Sequence, residues 1–208
     1  MISRPFRGGM AALALGAAVL LAGCTNNDTS GMPMGGEQSM APSSSVSASA
    51  DFNQADVMFV QTMIPHHEQA VAMSDLLLGK SGLDAEVRTL ATEIKYAQQP
   101  EIGTMRGWLA DWGQPTMNPS GGGMGEMGHG GDDGMATAED LQKLHQADTA
   151  TAEKLYLGMM IEHHQGAVRM AQNEITSGKN PAAIELARSI DKTQQAEITR
   201  MKQLLAQL

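Results

Sequence analysis

The feature that most constrains this chain is a duplication. Met63-Ile64-Pro65-His66-His67-Glu68-Gln69-Ala70-Val71-Ala72-Met73 lines up with Met160-Ile161-Glu162-His163-His164-Gln165-Gly166-Ala167-Val168-Arg169-Met170 at a constant offset of 97 residues. A second block follows in the same order. Gln98-Gln99-Pro100-Glu101-Ile102 matches Gln194-Gln195-Ala196-Glu197-Ile198, with Met105 and Met201 beyond them, at an offset of 96. Two blocks in one order make each half a helix pair, and two pairs predict an all-α four-helix bundle built from repeated hairpins. Aromatic residues are only 3 % of the chain, which argues against a sheet-rich fold. The halves differ at Pro65 against Glu162 and at Gln69 against Gly166.

Helix limits follow from capping chemistry. Asp51 is the predicted N-cap of the first helix, with Gly79 and Gly82 at its end. Asp84 caps the second, which runs to about Trp112. Thr137-Ala138-Glu139-Asp140 resembles a capping box opening a short extra helix that ends near His145. Asp148 caps the third long helix, ending near Gly178, and Asn180-Pro181 starts the fourth with proline at its first position. Pro65 removes a hydrogen bond inside a helix at a cost of about 3 kcal/mol, so a kink is expected there.

Composition divides the rest. Arg4 and Arg7 precede an apolar run from Met10 to Ala22, which is too short for a membrane span but suits a signal peptide over residues 1–23. The run ends in Leu21-Ala22-Gly23-Cys24, which resembles a bacterial lipobox and makes Cys24 the lipidation site. Lipid chains then supply the membrane affinity, so the folded part needs no membrane face. Residues 24–50 are Ser, Gly, Asn, Ala and Met, too poor in bulky side chains to offset chain entropy, and read as a flexible tether. Residues 51–208 form the bundle, with repeat one at 51–112, a Gly/Met-rich linker at 113–136 and repeat two at 137–208. A formal net charge of −9 argues against a nucleic-acid binder. A single Cys excludes an intramolecular disulfide framework.

At about 100° per residue, Met63, Ala70 and Leu77 define an inward stripe on the first helix, and His66 and His67 straddle it. One histidine faces the bundle axis in this geometry and the other a neighbouring helix. Met160, His163, His164, Ala167 and Met170 repeat the arrangement. Gln98, Glu101 and Met105 share the inner stripe of the second helix, as Gln194, Glu197 and Met201 do on the fourth. Buried carboxylates need partners, and the facing histidines or a metal can supply them. Two repeated His pairs, with Met63 four residues before His67 and Met160 four before His164, suit a shared metal site. Met73, Met170, Glu101, Glu197, Met105 and Met201 form a candidate second layer. A plain packing role for the methionines and a hydrogen-bonded role for the histidines stand beside this reading.

The linker adds a separate signal. Met117, Met124, Met127, His129 and Met135 lie among glycines, where a methionine has no core to fill. Met124, Met127 and His129 are candidate loop ligands. Thioether and imidazole suit Cu(I), and Ag(I) by softness. Zinc sites normally use Cys, and a di-iron bundle uses Glu-x-x-His, which does not occur at the His pairs, so iron fits less well.

The Met-Ile-x-His-His-x-x-Ala-Val-x-Met pattern at Met63–Met73 and Met160–Met170, with the later Gln-Gln-x-Glu-Ile-x-x-Met segments, resembles the "domain of unknown function 305" family over residues 51–208. The resemblance implies a ferritin-like helical bundle in secreted or membrane-attached bacterial proteins, some of them periplasmic copper-binding proteins linked to copper tolerance. Together with the lipobox and the repeated His pairs, this leads to the expectation of a lipid-anchored copper-binding protein for buffering, tolerance or transfer to a partner, with His66, His67, His163, His164, Met63 and Met160 as ligands. Binding to neutral imidazoles is expected to weaken as pH falls through the imidazole range. Two other readings stay open: a ferritin-like metal-dependent oxidoreductase, and a metal-free envelope interaction module.

Overall fold

The computed structural model describes residues 51–116 and 133–208. Along them run α1 (Gln54–Leu78), α2 (Ala85–Asp111), α3 (Ala138–Gln146), α4 (Thr149–Ser177) and α5 (Pro181–Leu205), with no strand among the described residues. This is the expected all-α bundle of two hairpins with one short extra helix. α1 packs on α2, α4 packs on α5, and the hairpins join along α1 and α4. α3 rests on α1 and α4. Cys24, Met117, Met124, Met127 and His129 lie outside the described residues.

Asp84, Thr137 with Asp140, Asp148 and Asn180 cap their helices as the sequence predicts. The first helix corrects the expectation. Its N-cap is Asn53, not Asp51, because Asn53 and Asp56 close a reciprocal capping box. Asp51 pairs instead with Lys179. α1 runs unbroken through Pro65, and α2 through Pro100. Buried Met63, Ile64, His66 and His67 anchor α1 on both sides of Pro65, which offsets the lost hydrogen bond.

Asp56 does more than close a cap. Its carboxylate also accepts from the backbone N–H groups of Lys179 (3.0 Å) and Asn180 (2.8 Å), pinning the start of α1 to the α4–α5 turn. Ninety-seven residues on, Glu153 accepts from the backbone N–H of Asp84 at 2.6 Å and pins the start of α4 to the α1–α2 turn. The duplication thus includes a tertiary anchor. Burial works to raise the Asp56 pKa, but hydrogen bonds from Glu174, Asn53, Asn180 and Lys179 hold it below the ordinary carboxylate range. Beside it, burial and the Asp56 charge push Glu174 up to about 8.

The core is split in two. One apolar cluster holds Ala70, Met73 and Leu77 of α1, Leu90 and Ile94 of α2, Tyr156 and Met160 of α4, and Met201 of α5. The other holds Val60 and Met63 of α1, Ile102 and Met105 of α2, Ala167 of α4, and Ile190 of α5. Between them on the four long helices lie His66 and His67, Gln98 and Glu101, His163 and His164, and Gln194 and Glu197. Each helix gives two polar residues to one mid-bundle layer. Buried thioethers approach this layer from both sides: Met63 and Met105 from one cluster, Met160 and Met201 from the other.

Candidate functional site

Helical spacing sets the layer. Adjacent histidines stand about 100° apart on a helix, so one ring of each pair faces the other hairpin and the second faces its own hairpin partner. His66 and His163 meet across α1 and α4 with ring centroids 3.6 Å apart and planes inclined by 33°. His67 turns to α2, its Nε2 at 2.8 Å from Glu101 Oε2. His164 turns to α5, its Nε2 at 2.8 Å from Glu197 Oε2. His66 is 1 % exposed and the other three histidines 0 %. Exposure of the Glu101 and Glu197 side chains is 24 % and 15 %, so the two carboxylates stand at the rim of the layer.

These contacts assign protons. A carboxylate only accepts, so the Nε2 atoms of His67 and His164 carry hydrogen. His66 Nε2 lies 2.9 Å from the backbone carbonyl of Asp133, which also only accepts. Burial depresses the His66 pKa to about 3 despite that bond, so the ring is neutral at pH 7 and its lone pair sits on Nδ1. His163 is pushed well below the usual value, first by burial and then by His66 and its neighbours. For His164 the burial effect exceeds the opposing pull of Glu197 and lowers the pKa. The Nδ1 atoms of His66, His67 and His164 are buried without a hydrogen-bond partner, and His163 lacks one at both nitrogens. Unpartnered buried donors and acceptors are costly and are usually met by water or an ion.

Donor chemistry decides what ion fits. Among the described residues, no three His, Cys, Asp or Glu side chains gather closely enough to hold a metal. The other soft donors flanking this layer are the thioethers of the two apolar clusters. Met63 and Met160 are fully buried, as are Met105 and Met201. Nitrogen lone pairs flanked by sulfur suit a soft monovalent cation better than iron or zinc. The rest of the predicted second layer divides. Met73 is buried within the apolar cluster around Leu77, about 10 Å along α1 from His66. Met170 is half-buried and lines an outer cleft of about 350 Å³ with Met58, Phe59 and Glu174. Neither belongs to the layer.

One part of the site escaped the sequence reading. Residues Asp133–Ala136 form a strap across the α1–α4 face. Gln69 clamps it twice, donating Nε2–H to the Ala136 carbonyl at 2.8 Å and accepting the Ala136 N–H at 2.7 Å. Its other side lies on Gly166, where a Cβ would fall 1.6 Å from the Asp133 carbonyl oxygen. Gly134 has φ +71°, and a Cβ there would fall 2.1 Å from the Glu162 carbonyl oxygen. The available signal was Gly166 itself, since a glycine inside a helix costs about 1 kcal/mol against alanine and needs a reason.

A DUF305 fragment from Deinococcus radiodurans shares 34 % identity with a TM-score of 0.67, covering 75 % of this chain and 98 % of that one. A DUF305 protein from Streptomyces coelicolor shares 37 % with a TM-score of 0.65, covering 74 % and 91 %. CopM in its Cu(I)-bound form shares 30 % with a TM-score of 0.59, covering 73 % and 96 %. CopM is also known in Cu(II)-bound and Ag-bound forms. No curated protein matches the chain. The family profile described as "Domain of unknown function (DUF305)" matches residues 56–205. This chain is a member of the DUF305 family.

Proposed function

We propose that the protein binds copper outside the cytoplasm, holding Cu(I), or Ag(I) in its place, in the mid-bundle layer. The observation that carries the proposal is His163, a fully buried ring with neither nitrogen partnered. His66, His67 and His164 each offer a buried Nδ1 beside it, and Met63 and Met160 supply sulfur from opposite sides. Glu101 and Glu197 act behind the ligands, fixing the tautomers of His67 and His164 so that Nδ1 is the free nitrogen. CopM, at about 30 % identity, is known with Cu(I), Cu(II) and Ag bound, which supports the choice of ion.

Location and handling complete the proposal. Residues 1–23 act as a signal peptide, Cys24 carries the lipid anchor, and 24–50 tether the bundle at the membrane. No described helix is long and apolar enough to cross a membrane. Met124, Met127 and His129 of the linker take up or release the ion, and the role is buffering, tolerance or transfer. The test is titration of the anchor-free protein with Cu(I) under reducing conditions. The variant H66A/H67A/H163A/H164A is expected to lose the tight site and keep the weaker linker sites. Equal affinity in the variant and the parent refutes the reading.

A specific observation favours a second reading. Three of the four rings already have one nitrogen satisfied, as in a metal-free hydrogen-bond network between the halves. That reading requires the melting temperature to stay constant when Cu(I), Ag(I) or Zn(II) is added, because a ligand specific for the native state raises it.

A further inference from the structure

The polar layer has two faces, and they are built differently. On the α1–α4 face the strap lies directly over the histidines. The Asp133 carbonyl takes His66 Nε2–H, Gln69 holds Ala136 from one side, and Gly166 leaves no space on the other. On the opposite face, α2 and α5 flank the central helices, and a small cavity opens between them. Its volume is about 10 Å³, close to what one water needs, and Gln98, Glu101, Gln194 and Glu197 line it with Ala97 and Ile190.

That cavity carries unspent polar groups. Gln98 and Gln194 are each 3 % exposed, yet both amide atoms of Gln98 and the Oε1 of Gln194 lack a hydrogen-bond partner. Two amide oxygens and two carboxylates in one crevice make a concentration of oxygen donors with no cation among the lining residues. Each carboxylate also touches the Nε2 of a layer histidine. Crossing this crevice therefore brings an ion directly onto the back of His67 and His164.

We infer that the α2–α5 crevice is a vestibule for a partly hydrated monovalent metal cation. Gln98 and Gln194 replace part of its water, while Glu101 and Glu197 draw it toward the histidines. The inference rests on the proposed copper site and adds its route. Carboxylates in a narrow cleft raise the local cation concentration, and oxygen donors hold a soft ion weakly enough to release it to nitrogen and sulfur. About one turn along the helices from the crevice lining, Arg200 of α5 pairs with Glu93 of α2 and ties the two helices together.

Stopped-flow uptake of Ag(I) by the anchor-free protein, and its release to a competing chelator, test the route. The relevant phase is the one absent from H66A/H67A/H163A/H164A. In Q98L/Q194L, which fills the crevice with apolar side chains, uptake and release are both expected to slow by about tenfold, so their ratio moves far less than either rate. Breaking that exposed pair in E93Q/R200Q is expected to speed both, and provides a readout if the leucine variant fails to fold. Unchanged rates in these variants overturn the vestibule. Faster uptake in Q69A, with the crevice variants inert, moves the route to the strap and also overturns it. If the parent protein shows no histidine-dependent phase, the copper site itself falls and the vestibule goes with it.

Discussion

The backbone carbonyl of Asp133 occupies the space where a side chain at Gly166 would begin. Alanine in place of a helix-interior glycine ordinarily stabilises a protein by up to about 1 kcal/mol. Here G166A must push the strap off α4 and break the Asp133 bond to His66, so a net loss of about 1–3 kcal/mol is expected. Urea unfolding at neutral pH measures it. A gain in stability shows that the strap does not sit on Gly166.

The histidine layer makes the metal-free protein acid-sensitive in a defined window. A ring whose pKa is about 3 when folded and 6.5 when unfolded binds its proton more tightly in the unfolded chain. The stability that His66 contributes is complete above pH 6.5 and is lost as pH falls toward 3, at a slope on the order of 1.4 kcal/mol per pH unit for such a ring. His163 and His164 shift in the same direction. Unfolding midpoints measured between pH 7 and pH 4 should fall steeply, and a flat profile contradicts buried neutral rings. The same burial of His66, His163 and His164 is expected to move the loss of metal affinity below the imidazole range. Ag(I) affinity should hold through that range and weaken only in stronger acid.

Glu174 predicts the opposite slope at higher pH. Its folded pKa of about 8 lies above the ordinary 4.5, so the folded state holds the proton more tightly. The stability that Glu174 contributes is therefore complete below pH 4.5 and declines as pH rises to 8, opposite in sign to the contribution of the histidines. Glutamine keeps the shape, keeps a donor toward Asp56 and removes the titration, so E174Q is expected to flatten that decline. Melting temperatures of both proteins at pH 5 and pH 8 decide the point; parallel profiles exclude Glu174 as the cause.

Removing a carboxylate behind a ligand should loosen the site without emptying it. In E101A or E197A, His67 or His164 loses the acceptor that fixes its tautomer. A fall in Ag(I) affinity of about 10–100-fold is expected for each, read by chelator competition. A fall as large as that of the quadruple histidine variant would instead make the carboxylate a ligand.

Much of the bundle could be read from periodicity. The repeated blocks imply the two hairpins, and local capping chemistry locates four of the five helix starts, since a cap involves residues only two or three apart. Asn53 displaced Asp51 through a capping box with Asp56 that is itself local, while the further hold of Lys179 and Asn180 on Asp56, more than a hundred residues away, lies beyond any local rule. The His67–Glu101 and His164–Glu197 pairs were half visible, because the helical wheel puts the acids inward and leaves the histidines as their natural partners. The strap was not visible. It is an irregular segment held by one glutamine and by an absent Cβ, and neither produces a periodic signal.

Duplication alone would leave His66 and His163 interchangeable. A single peptide carbonyl ends that degeneracy, because it settles which tautomer His66 adopts and leaves His163 free to take either. The His66–His163 couple thus has one preset member and one adaptable member. A single ion bound there meets a handed environment, and its coordination sphere should be lopsided even though the scaffold around it is nearly twofold.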